Sequence, residues 1–81
     1  MFWVYALESL QAKRIYVGHT QDIDIRLKNH NSGRVKSTAK DRPWTVIALE
    51  KVESKNEAMW LERSLKKSRG KRLKWMEKHG I

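Results

Sequence analysis

Apolar side chains fall along this chain in dense β-type runs, separated by stretches where they recur at helical spacing. Residues Phe2 to Leu7 are aromatic and β-branched with no polar alternation, the pattern of a strand covered on both faces and therefore central in its sheet. Gln11, Ala12 and Lys13 form a short polar connection before a second run, Arg14 to Thr20, so the two strands pair as an antiparallel hairpin. At a period of two, Trp3, Tyr5 and Leu7 share one face of the first strand, and Tyr16, Gly18 and Thr20 share one face of the second. Matching those faces brings Tyr5 near Tyr16. Gly18 weakens a strand interior and marks a place where another backbone or a ligand comes close.

Thr20 is a suitable cap for a first helix with Asp22 in its opening turn, and Asn31, Ser32 and Gly33 end it, which predicts a helix over Gln21 to Asn31. Ile23, Arg26, Leu27 and His30 fall within about a quarter turn of one another, so the stripe facing the sheet includes an arginine and a histidine. Arg34 to Arg42 is polar, basic and aperiodic, and reads as an exposed loop. Pro43 opens a third strand, Trp44 to about Val52, whose sense the pattern leaves open. Ser54 to Glu57 is a capping box that starts a second helix. Ala58, Leu61 and Leu65 form its buried stripe, and Glu62 falls on that stripe, where a carboxylate is costly without a cation or hydrogen-bond partner. Ser68, Arg69 and Gly70 break the pattern. Lys71 to His79 reads as a last helix held by Leu73 and Met76, with Gly80 as its stop.

Length makes this one domain, residues 1–81, with a thin core. No cysteine is present, which excludes a disulfide framework and a thiolate metal site and agrees with a reducing interior. The N-terminal run lacks leading positive charges and does not read as a signal peptide, and no apolar run is long enough to span a membrane. A cytoplasmic protein with no membrane partner is expected. The net charge of +9 changes the picture most, because a compact fold tolerates such self-repulsion when its partner is a polyanion. Nucleic acid is the expected partner. The segment from Arg63 to Lys78 concentrates the excess, with eight basic residues and one acid, Glu77.

Two tyrosines on adjacent strands, an arginine and a histidine on the inner stripe of one helix, and a glutamate on that of another now converge. In this order and spacing, Trp3, Val4, Tyr5, then Tyr16, Val17, Gly18, then Arg26, His30 and Glu62 resemble the GIY-YIG nuclease family, especially its small stand-alone bacterial members. The likeness extends from Phe2 to the last helix and includes the N-terminal nuclease domain of the bacterial excision-repair endonuclease. It implies an α/β (α+β) domain, a three-stranded antiparallel sheet flanked by about three helices. It further implies an endonuclease that hydrolyses DNA phosphodiesters with a divalent cation, in a family whose members serve repair, recombination, restriction and homing. Trp3 stands where the family name has its first glycine, and Val4 and Val17 replace isoleucines. His19 stands where the excision-repair branch has lysine, and no asparagine follows Asn56.

By that resemblance Tyr5, Tyr16, Arg26, His30 and Glu62 are the catalytic set. Tyr16 is the general base, Tyr5 its hydrogen-bonding support, and His30 a second group to orient water or phosphate. Glu62 holds one magnesium or manganese ion, which supplies Lewis acidity. The acids Asp22 and Asp24 lie well round the helix from Arg26, so a single ion is expected. Arg26 is permanently charged and forks onto phosphate. An ordinary phenol, with a pKa near 10, is a poor base at neutral pH, so Tyr16 needs a nearby cation or an onward proton relay. Gly18 and His19, with Lys66, Lys67, Arg69, Lys71 and Arg72 on the basic C-terminal face, are the candidate substrate contacts.

Each placement has a plainer alternative. Tyrosine on a strand packs, glycine there forms a bulge, Arg26 and His30 reach solvent from the rim, and Glu62 pairs with a cation. His19 is then a pairing partner, His79 a frayed end, and Trp60 and Trp75 pack rather than stack on bases. A nucleic-acid-binding module of the same fold that does not cut, and a basic RNA-binding protein distinguished by 2′-hydroxyl recognition, are the competing functions.

Overall fold

Antiparallel strands and three helices follow one another much as the periodicities predict. A computed structural model describes all residues from Met1 to Ile81. The elements are β1 (Phe2–Ser9), β2 (Ile15–Thr20), α1 (Ile23–Asn31), a 3-10 turn (Ala39–Asp41), β3 (Trp44–Val52), α2 (Lys55–Lys67) and α3 (Arg69–His79). The sheet has the order β2-β1-β3, so β1 is central as its unalternated pattern requires. Both neighbours run antiparallel to it. Tyr5 stands opposite Gly18, and Leu7 opposite Tyr16.

Successive residues of β1 feed two separate cores. Val4 and Ala6 join Val17, Ala48 and Val52 beneath Ala58, Leu65 and Trp75 of α2 and α3. Tyr5 and Leu7 join Trp44 on the opposite face, with Tyr16 and with Ile23 and Leu27 of α1 packed around them. All four residues from Val4 to Leu7 are fully buried. The sheet is thus the middle layer of three, which is how so short a chain buries both of its faces.

Local chemistry moves several boundaries. β1 continues two residues past Leu7 because Ser9 turns the chain: its Oγ accepts from the backbone N–H of Gln11 and Ala12 at 3.1 and 2.9 Å and donates to the Asp41 carbonyl at 2.6 Å. α1 begins at Ile23 rather than Gln21, since Asp22, not Thr20, is the cap and accepts from the Ile25 N–H at 3.1 Å. Gly33, at φ 84°, ends that helix in the left-handed conformation a side chain disfavours. The expected break over Ser68 to Gly70 shrinks to Ser68 alone. Its N–H closes α2 on Ser64, and its Oγ caps α3 by accepting from the Lys71 N–H, which allows helix to restart at Arg69. In α3 it is Trp75 that anchors, together with Met76, while Leu73 is half exposed. The Trp75 indole donates to Glu50 at 2.7 Å, and His79 pairs with the same carboxylate at 3.3 Å, so the helix end is fastened rather than frayed. Gly80 stops α3 and bridges to Ala48, laying the C-terminus along the outer edge of β3. No helix is long and apolar enough to cross a membrane.

Candidate nuclease site

Tyr5 lies at the centre of a buried hydrogen-bond chain whose direction is fixed by its ends. The Val35 carbonyl can only accept, so the Thr38 hydroxyl donates to it at 3.2 Å. Thr38 Oγ1 therefore accepts from His30 Nδ1–H at 2.8 Å, which leaves His30 Nε2 as an acceptor for the Tyr5 hydroxyl at 2.9 Å. Tyr5 in turn accepts from Arg26 Nε at 3.3 Å. Tyr5, His30 and Thr38 are all fully buried. Burial pushes the Tyr5 phenol up to about 12 despite Arg26 beside it, and burial, aided by Arg26, pulls His30 down to about 4. Both are neutral at physiological pH. Arg26 is held protonated more firmly than usual, chiefly by its hydrogen bond to Tyr5.

His30 is buried rather than at the rim, with Thr38 on one ring nitrogen and Tyr5 on the other. Arg34 to Arg42 is accordingly no free loop. His30 holds it from α1, the Trp44 indole donates to the Thr38 carbonyl at 2.8 Å, and Arg14 pairs with Asp41 at 2.8 Å. Gly18 leaves room for the two tyrosines. A Cβ there would lie 2.6 Å from the Tyr5 hydroxyl oxygen and 3.1 Å from the Tyr16 ring, so the two tyrosines take the space above this glycine.

Tyr16 is half-buried on edge strand β2, its ring 5.0 Å from that of His30 and 6.4 Å from that of Tyr5. Its neighbour across the edge is Lys66 of α2, whose ammonium lies 5.2 Å from the Tyr16 ring centroid and 2.9 Å from Glu62 Oε2. Glu62 emerges at the flank of the α2 stripe rather than inside the core, where its other oxygen meets His19 Nδ1 at 2.6 Å. Lys66 thus joins two adjoining hollows. One, of about 460 Å³, is lined by His19, Glu62, Arg63, Lys67 and Met59 with Lys66, and the other, of about 580 Å³, by Tyr16, Lys13, Arg14, Arg69, Arg72 and Leu73 among others.

Of the basic residues expected to meet substrate, Lys66, Lys67, Arg69 and Arg72 line this groove and Lys71 does not. Arg72 also donates to the Leu65 carbonyl at 3.0 Å, capping the end of α2. Lys13 and Arg14 line the groove from the hairpin turn, a contribution that their place in a polar connection did not signal. Glu62 is the one carboxylate in the groove, and no three His, Cys, Asp or Glu side chains converge anywhere in the chain. With its oxygens engaged by His19 and Lys66, this carboxylate would hold a hard divalent cation by exchanging one of those partners, the rest of the ion's shell being left for water and substrate oxygens.

Paired tyrosines on adjacent strands, a helix arginine and a groove-facing glutamate define the class, and the chain belongs to the GIY-YIG nuclease family. The family model for the GIY-YIG catalytic domain matches residues 1–75. Among curated relatives, a UPF0213 protein of Syntrophus aciditrophicus is 36% identical over 80 residues, covering 95% of this chain and 91% of its own length. A UPF0213 protein of Staphylococcus haemolyticus is 37% identical over 65 residues, covering 78% of this chain and 79% of its own, and one of Streptococcus pyogenes serotype M1 is 34% identical over 80 residues, covering 95% and 86%. No solved structure matches.

Proposed function

We propose that this chain is a divalent-cation-dependent endonuclease that hydrolyses DNA phosphodiester bonds, in repair or recombination of DNA in the cytoplasm. The observation that supports this most is the position of Lys66 between Tyr16 and Glu62, which sets a phenol and a carboxylate at the mouth of one basic groove. Membership in a nuclease family supplies the reaction class.

Phosphodiester hydrolysis needs a phosphate held in line with an attacking water, and charge stabilised on its non-bridging oxygens. Arg26 donates Nε to Tyr5 and also hydrogen-bonds Tyr16, which sets its permanently charged fork beside the phenol, where it would neutralise the phosphate. Tyr5 and His30 are buried behind it and act by fixing the guanidinium, not by touching substrate. Tyr16, on the exposed side of that wall, takes the proton of the attacking water or holds the water in line. Glu62 holds one Mg2+ or Mn2+ ion, which when bound supplies Lewis acidity at the scissile phosphate. Lys13, Lys67 and Arg69 track the backbone on either side.

Incubating the purified chain with supercoiled plasmid tests the reading. Nicking is expected with Mg2+ or Mn2+ and is expected to stop on adding chelator. Tight, salt-sensitive binding without any nicking across a panel of linear, flapped and branched DNA would instead indicate a module that grips nucleic acid without cutting. Preferential cleavage of structured RNA would contradict the choice of DNA.

A further inference from the structure

His19 lies beside the site, and the structure gives it a specific neighbour. It follows Gly18 on β2 and faces α2, so that Nδ1 lies 2.6 Å from Glu62 Oε1. Lys66 occupies the other carboxylate oxygen at 2.9 Å, which turns Oε1 alone toward the imidazole. Both side chains are partly exposed, at 25% and 21%, and both line the same 460 Å³ hollow.

We propose that His19 and Glu62 together form a two-residue nitrogen–oxygen chelate that takes a first-row transition cation such as Mn2+ in preference to Mg2+. This rests on the reading of Glu62 as the cation's holder and adds to it a second protein ligand. Donors in adjacent octahedral positions, at bond lengths near 2.1 Å, stand about 3.0 Å apart, so an ion would replace the proton shared by the pair, with the two groups opening by about 0.4 Å and turning their lone pairs toward it. Imidazole binds first-row transition cations, Mn2+ the most weakly of the series, whereas Mg2+ prefers oxygen donors and gives up water reluctantly. The absence of any third converging His, Cys, Asp or Glu leaves the remaining positions to water and phosphate oxygens. Lys66 fixes the carboxylate in the one-oxygen mode that such a chelate uses.

An ordinary His–Glu ion pair would have the opposite consequence, because removing the histidine would free the carboxylate for the cation. The test is Mn2+ binding to the full chain, measured by titration and by pulsed electron paramagnetic resonance, in the parent, His19→Ala, His19→Gln and Glu62→Ala, with folding checked by circular dichroism. The parent should show nitrogen coupling to Mn2+, and both His19 variants should lose it and bind Mn2+ roughly tenfold or more weakly, the scale on which even supporting partners matter. Their affinity for Mg2+ should change much less. No nitrogen coupling in the parent, coupling that persists without His19, or Mn2+ affinity that holds or rises in His19→Ala overturns the proposal. The coupling needs no variant, so it decides even where a substitution disturbs the fold. Undiminished Mn2+ binding by Glu62→Ala would instead overturn the reading of Glu62 itself, and with it the chelate.

Discussion

The Tyr5 hydroxyl donates to Nε2 of a His30 that is sealed from solvent, across 2.9 Å. That bond requires the Nδ1–H tautomer of His30 and a neutral ring. His30, pulled down to about 4 in the fold against an ordinary 6.5, binds its proton more readily when the chain is unfolded. Its contribution to stability is therefore complete above about pH 6.5 and is lost as pH falls from there through about 4. The loss is on the order of 3 kcal/mol. Urea midpoints across pH 4 to 8 should show it, and nitrogen NMR should find Nδ1 protonated and Nε2 bare at neutral pH. A His30 that titrates near 6.5 would contradict the chain of donors described here.

Thr38→Val removes the acceptor for His30 Nδ1–H and keeps the side-chain shape. An unmatched buried donor should lower unfolding free energy by about 1–3 kcal/mol, and Thr38→Ser should recover most of it. Denaturant unfolding of the two variants separates loss of the hydroxyl from loss of the methyl group.

Gly18→Ala places a methyl 2.6 Å from the Tyr5 hydroxyl oxygen, too close for either to stay. Displacing Tyr5 should destabilise the fold by about 1–3 kcal/mol and release Arg26 Nε from its partner. The thermal midpoint reads the first effect. The second should appear as weaker binding of a short DNA duplex, beyond what lost stability accounts for.

Nucleic-acid affinity should fall steeply with salt, since each neutralised phosphate releases counterions. Replacing Lys13 or Arg69 by alanine should lower the slope of log affinity against log salt by about 1 each, while Lys71→Ala, which lies off the groove, should leave it nearly unchanged. Equal effects of all three would mean the groove is not the binding surface.

Much of the site is legible in the sequence because it depends on short periodicities. A period of two puts Tyr5 and Tyr16 on one face and turns His19 to the other, and helical spacing puts Arg26 and Glu62 on inward stripes. What the sequence conceals depends on contacts distant in the chain. Thr38 sits in a polar run that reads as solvent-exposed until His30, eight residues earlier, reaches it. The choice of Trp75 over Leu73 as anchor is likewise settled by packing and by Glu50 rather than by propensity. Gly18 shows the same limit: its need for space is legible, but that Tyr5 fills the space is not.

Single-turnover cleavage by the parent, Tyr16→Phe and Glu62→Ala, with DNA binding measured in parallel, tests the central claim most directly. Both variants should bind DNA within a few-fold of the parent. Tyr16→Phe should cleave about 10²-fold or more slowly, the range expected for a group that handles a proton in the transition state, and Glu62→Ala should lose cleavage at any Mg2+ or Mn2+ concentration. Cleavage by both variants at the parental rate would contradict the assignment of this groove as a nuclease site.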